Sequence, residues 1–138
     1  MYVIAQLMGA TCGALLIKAI VPDALEGNLG SHAIAPGLGI GSAILLEMCL
    51  TFILVFVIYA TAVDTRGPSN LAPFAIGMVV VMTAFVGAAL TGGSLNPART
   101  FGPAVVVGQW TDHWVYWFAP IAGGTCAAVI YKYVFLKN

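Results

Sequence analysis

The reading of this chain turns on Thr91-Gly-Gly-Ser-Leu-Asn-Pro-Ala-Arg-Thr-Phe-Gly-Pro-Ala104. Asn96 is suited to cap a helix and Pro97 to open it, because the first helical position has no use for the N–H that proline lacks. Gly92 and Gly93 permit an unusual extended backbone just before that cap. The apolar run that follows, residues 97–107, reaches roughly 16 Å as a helix, about half a bilayer. Arg99 stands one turn along it from Asn96.

Composition supplies the surroundings. Hydrophobic residues make up 61% of the 138 residues and charged residues only 7%, with a mean hydropathy of +1.00. That is too few polar side chains to cover a soluble domain of this size, so the chain reads as an integral membrane protein. Five basic and five acidic residues cancel, which removes the basic footprint of a nucleic-acid binder. Cys12, Cys49 and Cys126 lie far apart in apolar runs without ligand spacing, and are expected to be buried small hydrophobes; no metal is called for. Residue 1 already lies in an apolar stretch, with no basic segment or cleavage site before it. The expectation is that residues upstream are missing.

Four stretches can cross a bilayer: residues 1–17, 41–63, 73–91 and 114–131. Between them lie a Gly- and Pro-rich connection (21–40) with Asp23 and Glu26, a tight turn DTRGPSNLA (64–72) and a short polar link (108–113). Placing the Arg66 turn and the Lys132/Lys137 tail in the cytoplasm follows the positive-inside tendency, although Lys18 opposes it. Trp110, Trp114 and Trp117 gather at one end of the last span, with Tyr131, Tyr133 and Phe135 at the other, as interfacial belts do. Ala5, Gly9 and Gly13, and again Ala119, Gly123 and Ala127, form small-residue stripes suited to close helix packing.

A half-helix starting inside the membrane leaves irregular backbone at depth, tolerated only where it is buried in protein or lines a wet cavity. Its positive dipole end then lies near the bilayer middle, as at the permeation sites of many transport proteins. An intramembrane arginine costs several kcal/mol, about 2.5–3.5 on insertion scales, so Arg99 reads as pore-lining, with a structural Arg–carboxylate pair as the alternative. Glu47 reads as an anchor accepting backbone N–H bonds from the irregular segment; a proton relay would need further titratable groups in series. Pro103 frees the Arg99 carbonyl and is expected to bend the half-helix. His32 and His113 read as loop or interface residues, with a pH gate as the alternative, and Asp112 as a local cap. No nucleophile–base pair lies among the spans, so an enzyme is not expected.

The NPAR sequence, with GG before it and FGPA after it, resembles the second signature loop of the aquaporins, or major intrinsic protein family. The uncharged span before it, HWVYWFAPIAGG after it, the glutamate in the preceding span and the DTRGP turn also match. The resemblance covers nearly the whole chain. It implies an all-α membrane protein with four transmembrane helices and one re-entrant half-helix, a partial aquaporin-type inverted-repeat bundle. Residues 1–138 then form one partial channel domain. Residues 1–20 correspond to the family's third span, 41–64 to the fourth and 73–91 to the fifth. Residues 96–107 correspond to the NPA half-helix and 113–136 to the sixth span. Two spans and the first NPA half-helix have no counterpart here.

The implied activity is single-file passage of water, and of small uncharged solutes, by a chain that is a truncated channel subunit rather than a complete pore. The alternatives are a permissive glycerol, ammonia or boric acid facilitator, a non-conducting membrane fragment, and, less favoured, a secondary transporter. Asn96, Pro97 and Ala98 would form the pore motif, and the carbonyls of Gly92, Gly93, Ser94 and Leu95 a ladder of acceptors. Ala84, Gly93 and Arg99 would supply three of the family's four filter positions. Ala84 stands where many strict water channels have histidine, which widens the filter. Thr100 and Ala104 depart from the aquaglyceroporin pattern, and Tyr116 with Trp117 resembles the water-type pair. Gly93 replaces the cysteine through which some water channels are blocked by mercury. The resemblance also implies a homotetramer when complete, a lipid bilayer as surroundings, no cofactor, no nucleic acid, and a plasma-membrane location with the C-terminus cytoplasmic.

Overall fold

The computed structural model describes residues 1–136, and among these the ordered elements are all helical. Helix α1 runs Tyr2–Ile20, the short α2 Asp23–Glu26, α3 Ile40–Ile58, α4 Ala72–Gly87, α5 Pro97–Val107 and α6 Val115–Ile130. Both α3 and α6 finish in a π-type turn, Tyr59–Val63 and Tyr131–Phe135, and a 3₁₀ turn, Ser69–Leu71, leads into α4. With those turns, four helices are long and apolar enough to cross a membrane: Tyr2–Ile20, Ile40–Val63, Ser69–Gly87 and Val115–Phe135. Backbone polar groups cannot be left unpaired in hydrocarbon, and long helices satisfy them internally.

Packing follows the small residues. α6 crosses α3 where a Cβ added to Gly123 would stand 2.2 Å from the Met48 carbonyl oxygen. Ala43, Leu50, Ala119 and Ala127 are buried along these two helices. Backbones approach this closely only where a side chain is missing, and dispersion and Cα–H···O contacts replace the hydrophobic drive that lipid removes. α5 meets α1 in the same way, an added Cβ on Gly102 falling 2.4 Å from the Ala10 backbone. The stripe on α6 is therefore a packing seam. On α1, Gly9 and Gly13 face open space within this chain, and α1 seats the half-helix through Ala10. The cysteines also differ from expectation, because Cys12, Cys49 and Cys126 are all exposed. A thiol is apolar enough to face lipid as readily as a core.

The α-helix of α4 stops at Gly87, four residues before the end of the apolar run. Its carbonyl accepts from the N–H groups of Leu90, Thr91 and Gly92 at 3.0, 2.9 and 2.8 Å, so the chain turns out of the helix there. Glycine is required at this corner, since an added Cβ would meet Gly93 Cα at 2.7 Å.

At the opposite end of the bundle the α3–α4 turn is fastened to α6. Asp64 accepts from Arg66 Nε and Nη2 at 2.9 and 2.8 Å and from the Tyr131 hydroxyl at 3.0 Å. Arg66 Nη2 also donates to the Phe135 carbonyl. The Arg66 hydrogen bonds hold the Asp64 carboxyl well below the usual carboxylate range. Phe56 adds edge-on contacts to Tyr131 and Phe135, with centroids 5.0 and 5.5 Å apart. Lys18, in the last turn of α1, lies 3.8 Å from Glu26 of α2, which offsets the one cation that opposes the charge asymmetry.

Candidate functional site

The segment between α4 and α5 folds inward against α3. Gly92, Gly93 and Leu95 have φ values of +89°, +63° and +60°, a conformation that glycine accepts and leucine resists. The strain at Leu95 is held by Glu47, a fully buried residue of α3. Its Oε1 accepts from Thr91 Oγ1 at 2.7 Å and from the Ser94 N–H at 2.9 Å, and its Oε2 from the Leu95 N–H at 3.1 Å. Two backbone N–H groups and one hydroxyl of the irregular segment thus converge on one carboxylate, and charge-assisted bonds of this kind are about twice as strong as neutral ones. From α6, the buried Tyr116 hydroxyl donates to the Thr91 carbonyl at 2.8 Å.

The half-helix begins where the sequence sets its cap. Asn96 has extended backbone (φ −152°, ψ 120°), and its Oδ1 accepts from the Ala98 N–H at 2.9 Å. That leaves the Asn96 side-chain amide with its N–H donors free. Pro97 takes the first turn, Ala98 is buried, and α5 runs through Pro103 to Gly108, which ends it in the left-handed region at φ +81°.

A cavity of about 530 Å³ opens beside this segment. Gly92, Gly93, Ser94, Leu95, Asn96, Pro97 and Arg99 line it from one side. The rest is lined from four helices, among them by Ala84 and Thr83 of α4, Thr51 and Leu54 of α3, Gln6 of α1, and Pro120 and Gly124 of α6. The three expected filter residues Ala84, Gly93 and Arg99 therefore share one space with Asn96. Ala98 and Glu47 stand behind the wall and support it.

His32 is the residue whose position the sequence did not reveal. It belongs to the Gly-rich connection after α2, yet it is buried on the far side of Arg99. Its Nε2 faces Arg99 Nη1, and its Nδ1 lies 3.0 Å from Thr100 Oγ1. Since a guanidinium can only donate, Nε2 is assigned as the acceptor and Nδ1 as the protonated nitrogen. The sense of the remaining bonds follows: His32 Nδ1–H donates to Thr100, Thr100 to Ser94, and Ser94 to the Asn96 carbonyl at 3.0 Å. The ring also fills the space beside Gly92, where an added Cβ would meet His32 Cδ2 at 2.4 Å. Burial, the Arg99 charge and His113 push the His32 imidazole down to about 3. His32 is therefore neutral at physiological pH, and fixed in one tautomer. His113 lies in the 108–114 link against Trp110, with ring centroids 4.8 Å apart, and burial lowers it as well.

The chain that carries this inward-turned segment, capped half-helix and cavity-facing arginine is matched over most of its length by the model of one protein family. The profile of that family, described as Major intrinsic protein, covers residues 1–131. The chain belongs to the major intrinsic protein family. Similar curated proteins include "Aquaporin TIP1-2" of Zea mays, 44% identical over 137 residues, which are 98% of this chain and 53% of that protein. "Aquaporin TIP2-1" of Arabidopsis thaliana is 42% identical over 141 residues, 99% of this chain and 54% of its own length. "Probable aquaporin TIP-type" of Medicago sativa is 42% identical over 140 residues, with the same shares of 99% and 54%. The chain thus spans about half the length of the curated relatives it matches. As a member of this family with four bilayer-length apolar helices, it is a multi-pass membrane protein.

Proposed function

We propose that this chain supplies one half of a passive channel for water, with small uncharged solutes such as glycerol, ammonia or boric acid admitted by a permissive filter. The observation that carries the reading is the meeting of four groups at one cavity of about 530 Å³: the Asn96 amide, the Gly92–Leu95 backbone, the Arg99 guanidinium and the small residues Ala84 and Gly93. With Oδ1 engaged by the Ala98 N–H, Asn96 presents its side-chain N–H donors to a passing oxygen. A water held by those donors turns its own hydrogens away, toward the carbonyl side of the file, and is poorly placed to relay a proton. The positive end of α5 and the charge on Arg99 raise the barrier to cations in the same region.

The relatives' names support aquaporin-type transport, and their length supports completion of the pore by a further half-repeat bearing its own half-helix. A tetramer of complete units, set in a lipid bilayer with the Arg66 turn and the end of α6 on the cytoplasmic side, belongs to the same reading. Proteoliposomes holding the completed protein should shrink rapidly under an osmotic step, without any ion gradient. Flux that required a sodium or proton gradient would instead establish a secondary transporter, and no flux at all a non-conducting membrane subunit. Ala84→His should lower glycerol flux more than water flux; equal loss of both would refute the wide filter. Arg99→Val should raise proton leak severalfold, and an unchanged leak would remove its barrier role.

A further inference from the structure

Thr125 of α6 lines the cavity beside Pro120, Ile121 and Gly124, and it is exposed there. Thr11, Thr51, Thr61 and Thr83 each donate to a carbonyl about one turn back, at 2.9, 2.8, 2.7 and 2.9 Å. That is the usual way in which a helix occupies a hydroxyl. Among the described residues Thr125 forms no such bond, so its hydroxyl is open to the cavity. Its neighbour Gly124 fixes its level, since an added Cβ there would meet Val55 Cγ2 at 3.3 Å and Thr51 Cγ2 at 3.7 Å. Tyr116, which holds the Thr91 carbonyl, lies nine residues earlier, roughly 13 Å along the helix. Thr125 therefore stands toward the Arg66 end of the cavity. The wall around it is made by Leu54, Val55, Val80 and Ile121, and the Thr51 hydroxyl is already engaged by the Glu47 carbonyl. Gln6 lines the cavity from α1, on the half-helix side, where it shares a second cleft with Asn96 and Pro97.

We propose that Thr125 is a specificity-determining residue, whose hydroxyl is the hydrogen-bonding station by which small polyols cross this apolar stretch of the passage. The role rests on the channel reading above and names the residue through which solutes larger than water are admitted. A water molecule in single file bonds to the waters ahead of it and behind it, and asks little of the wall. A polyol carries several hydroxyls on a carbon frame, which separates them from those neighbours. Each hydroxyl must then be matched by the wall or go unpaired, and an unpaired hydroxyl in apolar surroundings is costly. The Asn96 amide and Arg99 present donors, whereas a threonine hydroxyl both donates and accepts. Thr125 can therefore serve a solute hydroxyl in either sense. Ala84 and Gly93 set the width at one end of the cavity, and Thr125 supplies the polar contact toward the other.

Thr125→Val keeps the shape of the side chain and removes its hydroxyl. In proteoliposomes holding the completed protein it should lower glycerol flux about fivefold, the loss of one hydrogen bond, and leave water flux unchanged. Thr125→Ser should restore the glycerol flux. A second measurement reads hydration at this position directly, against Cys126, which lines a separate apolar groove with Met48 and Phe52. With the other cysteines replaced by alanine, Thr125→Cys in lipid nanodiscs is treated with a charged methanethiosulfonate. It should react about tenfold faster than Cys126 alone, because only a hydrated thiol ionises readily to the reactive thiolate. Absence of any flux in the parent would overturn the channel reading itself. A conducting parent in which Thr125→Val leaves glycerol flux unchanged, or lowers water and glycerol equally, would overturn the role of Thr125 alone. So would a cysteine at position 125 no more reactive than Cys126.

Discussion

The imidazole of His32 accepts a hydrogen bond from the Arg99 guanidinium across 67 residues of sequence. Arg99 is otherwise exposed to the cavity, so His32 decides which way its charge points. His32→Ala should let the guanidinium swing and leave the Thr100 hydroxyl without its partner. The expected result is a severalfold change in the ratio of water to glycerol flux, read by stopped-flow light scattering on proteoliposomes. An unaltered ratio would show that Arg99 holds its position alone.

His32 also predicts a direction for acid sensitivity. In the unfolded chain a histidine binds its proton near pH 6.5, whereas in the folded protein His32 does so only near 3. Between those values the unfolded state holds the extra proton, so the contribution of this site to stability is present above pH 6.5 and is lost as pH falls toward 3. Thermal midpoints in detergent should therefore drop from pH 7 to pH 4, and the slope should flatten in His32→Gln. Water flux, by contrast, should show no titration of His32 between pH 8 and pH 5.

Glu47→Gln tests the anchor. The two carboxylate oxygens accept from three donors, and an amide presents one oxygen and one donor in the same space. An N–H would then face either the Leu95 N–H or the Thr91 and Ser94 donors. A loss of about 2–4 kcal/mol is expected from leaving such a buried group unmatched. Chemical denaturation in mixed micelles should read it, and proteolysis should begin within residues 88–96. A variant as stable as the parent would show that the segment holds its shape by packing.

Gly123→Ala addresses the α3–α6 seam. The added methyl would overlap the Met48 carbonyl oxygen, and both neighbours are backbone and cannot rotate away. Overpacking of this sort costs about 1–3 kcal/mol. The same change at Gly9 of α1, which meets open space, should leave the stability of the isolated chain within about 0.5 kcal/mol. Comparing the two midpoints separates a packing seam from a stripe that only resembles one.

Much of this arrangement was legible in the residues. Asn96, Pro97 and the paired glycines specify a helix start by local rules, since cap, opening proline and left-handed positions depend on neighbours in sequence. Glu47 was recognisable because a carboxylate inside an apolar run must find donors, and an irregular segment offers them. His32 was not, because its partners Arg99 and Thr100 lie far along the chain and its own loop has no periodicity to orient it. The exposed cysteines were misread for a related reason. Hydropathy identifies what avoids water, and in a bilayer that does not distinguish the inside of a bundle from its outside. The stop at Gly87 was hidden too, as the apolar run continues past the point where the chain turns.

The Gly102–Ala10 contact has a consequence for biogenesis. The short helix α5 rests mainly on α1, which is synthesised before it. Irregular backbone is costly in hydrocarbon unless protein covers it, and the Ala10 backbone of α1 is the wall on which Gly102 closes. The expected order of integration is therefore that α1 is in place before α5 packs against it.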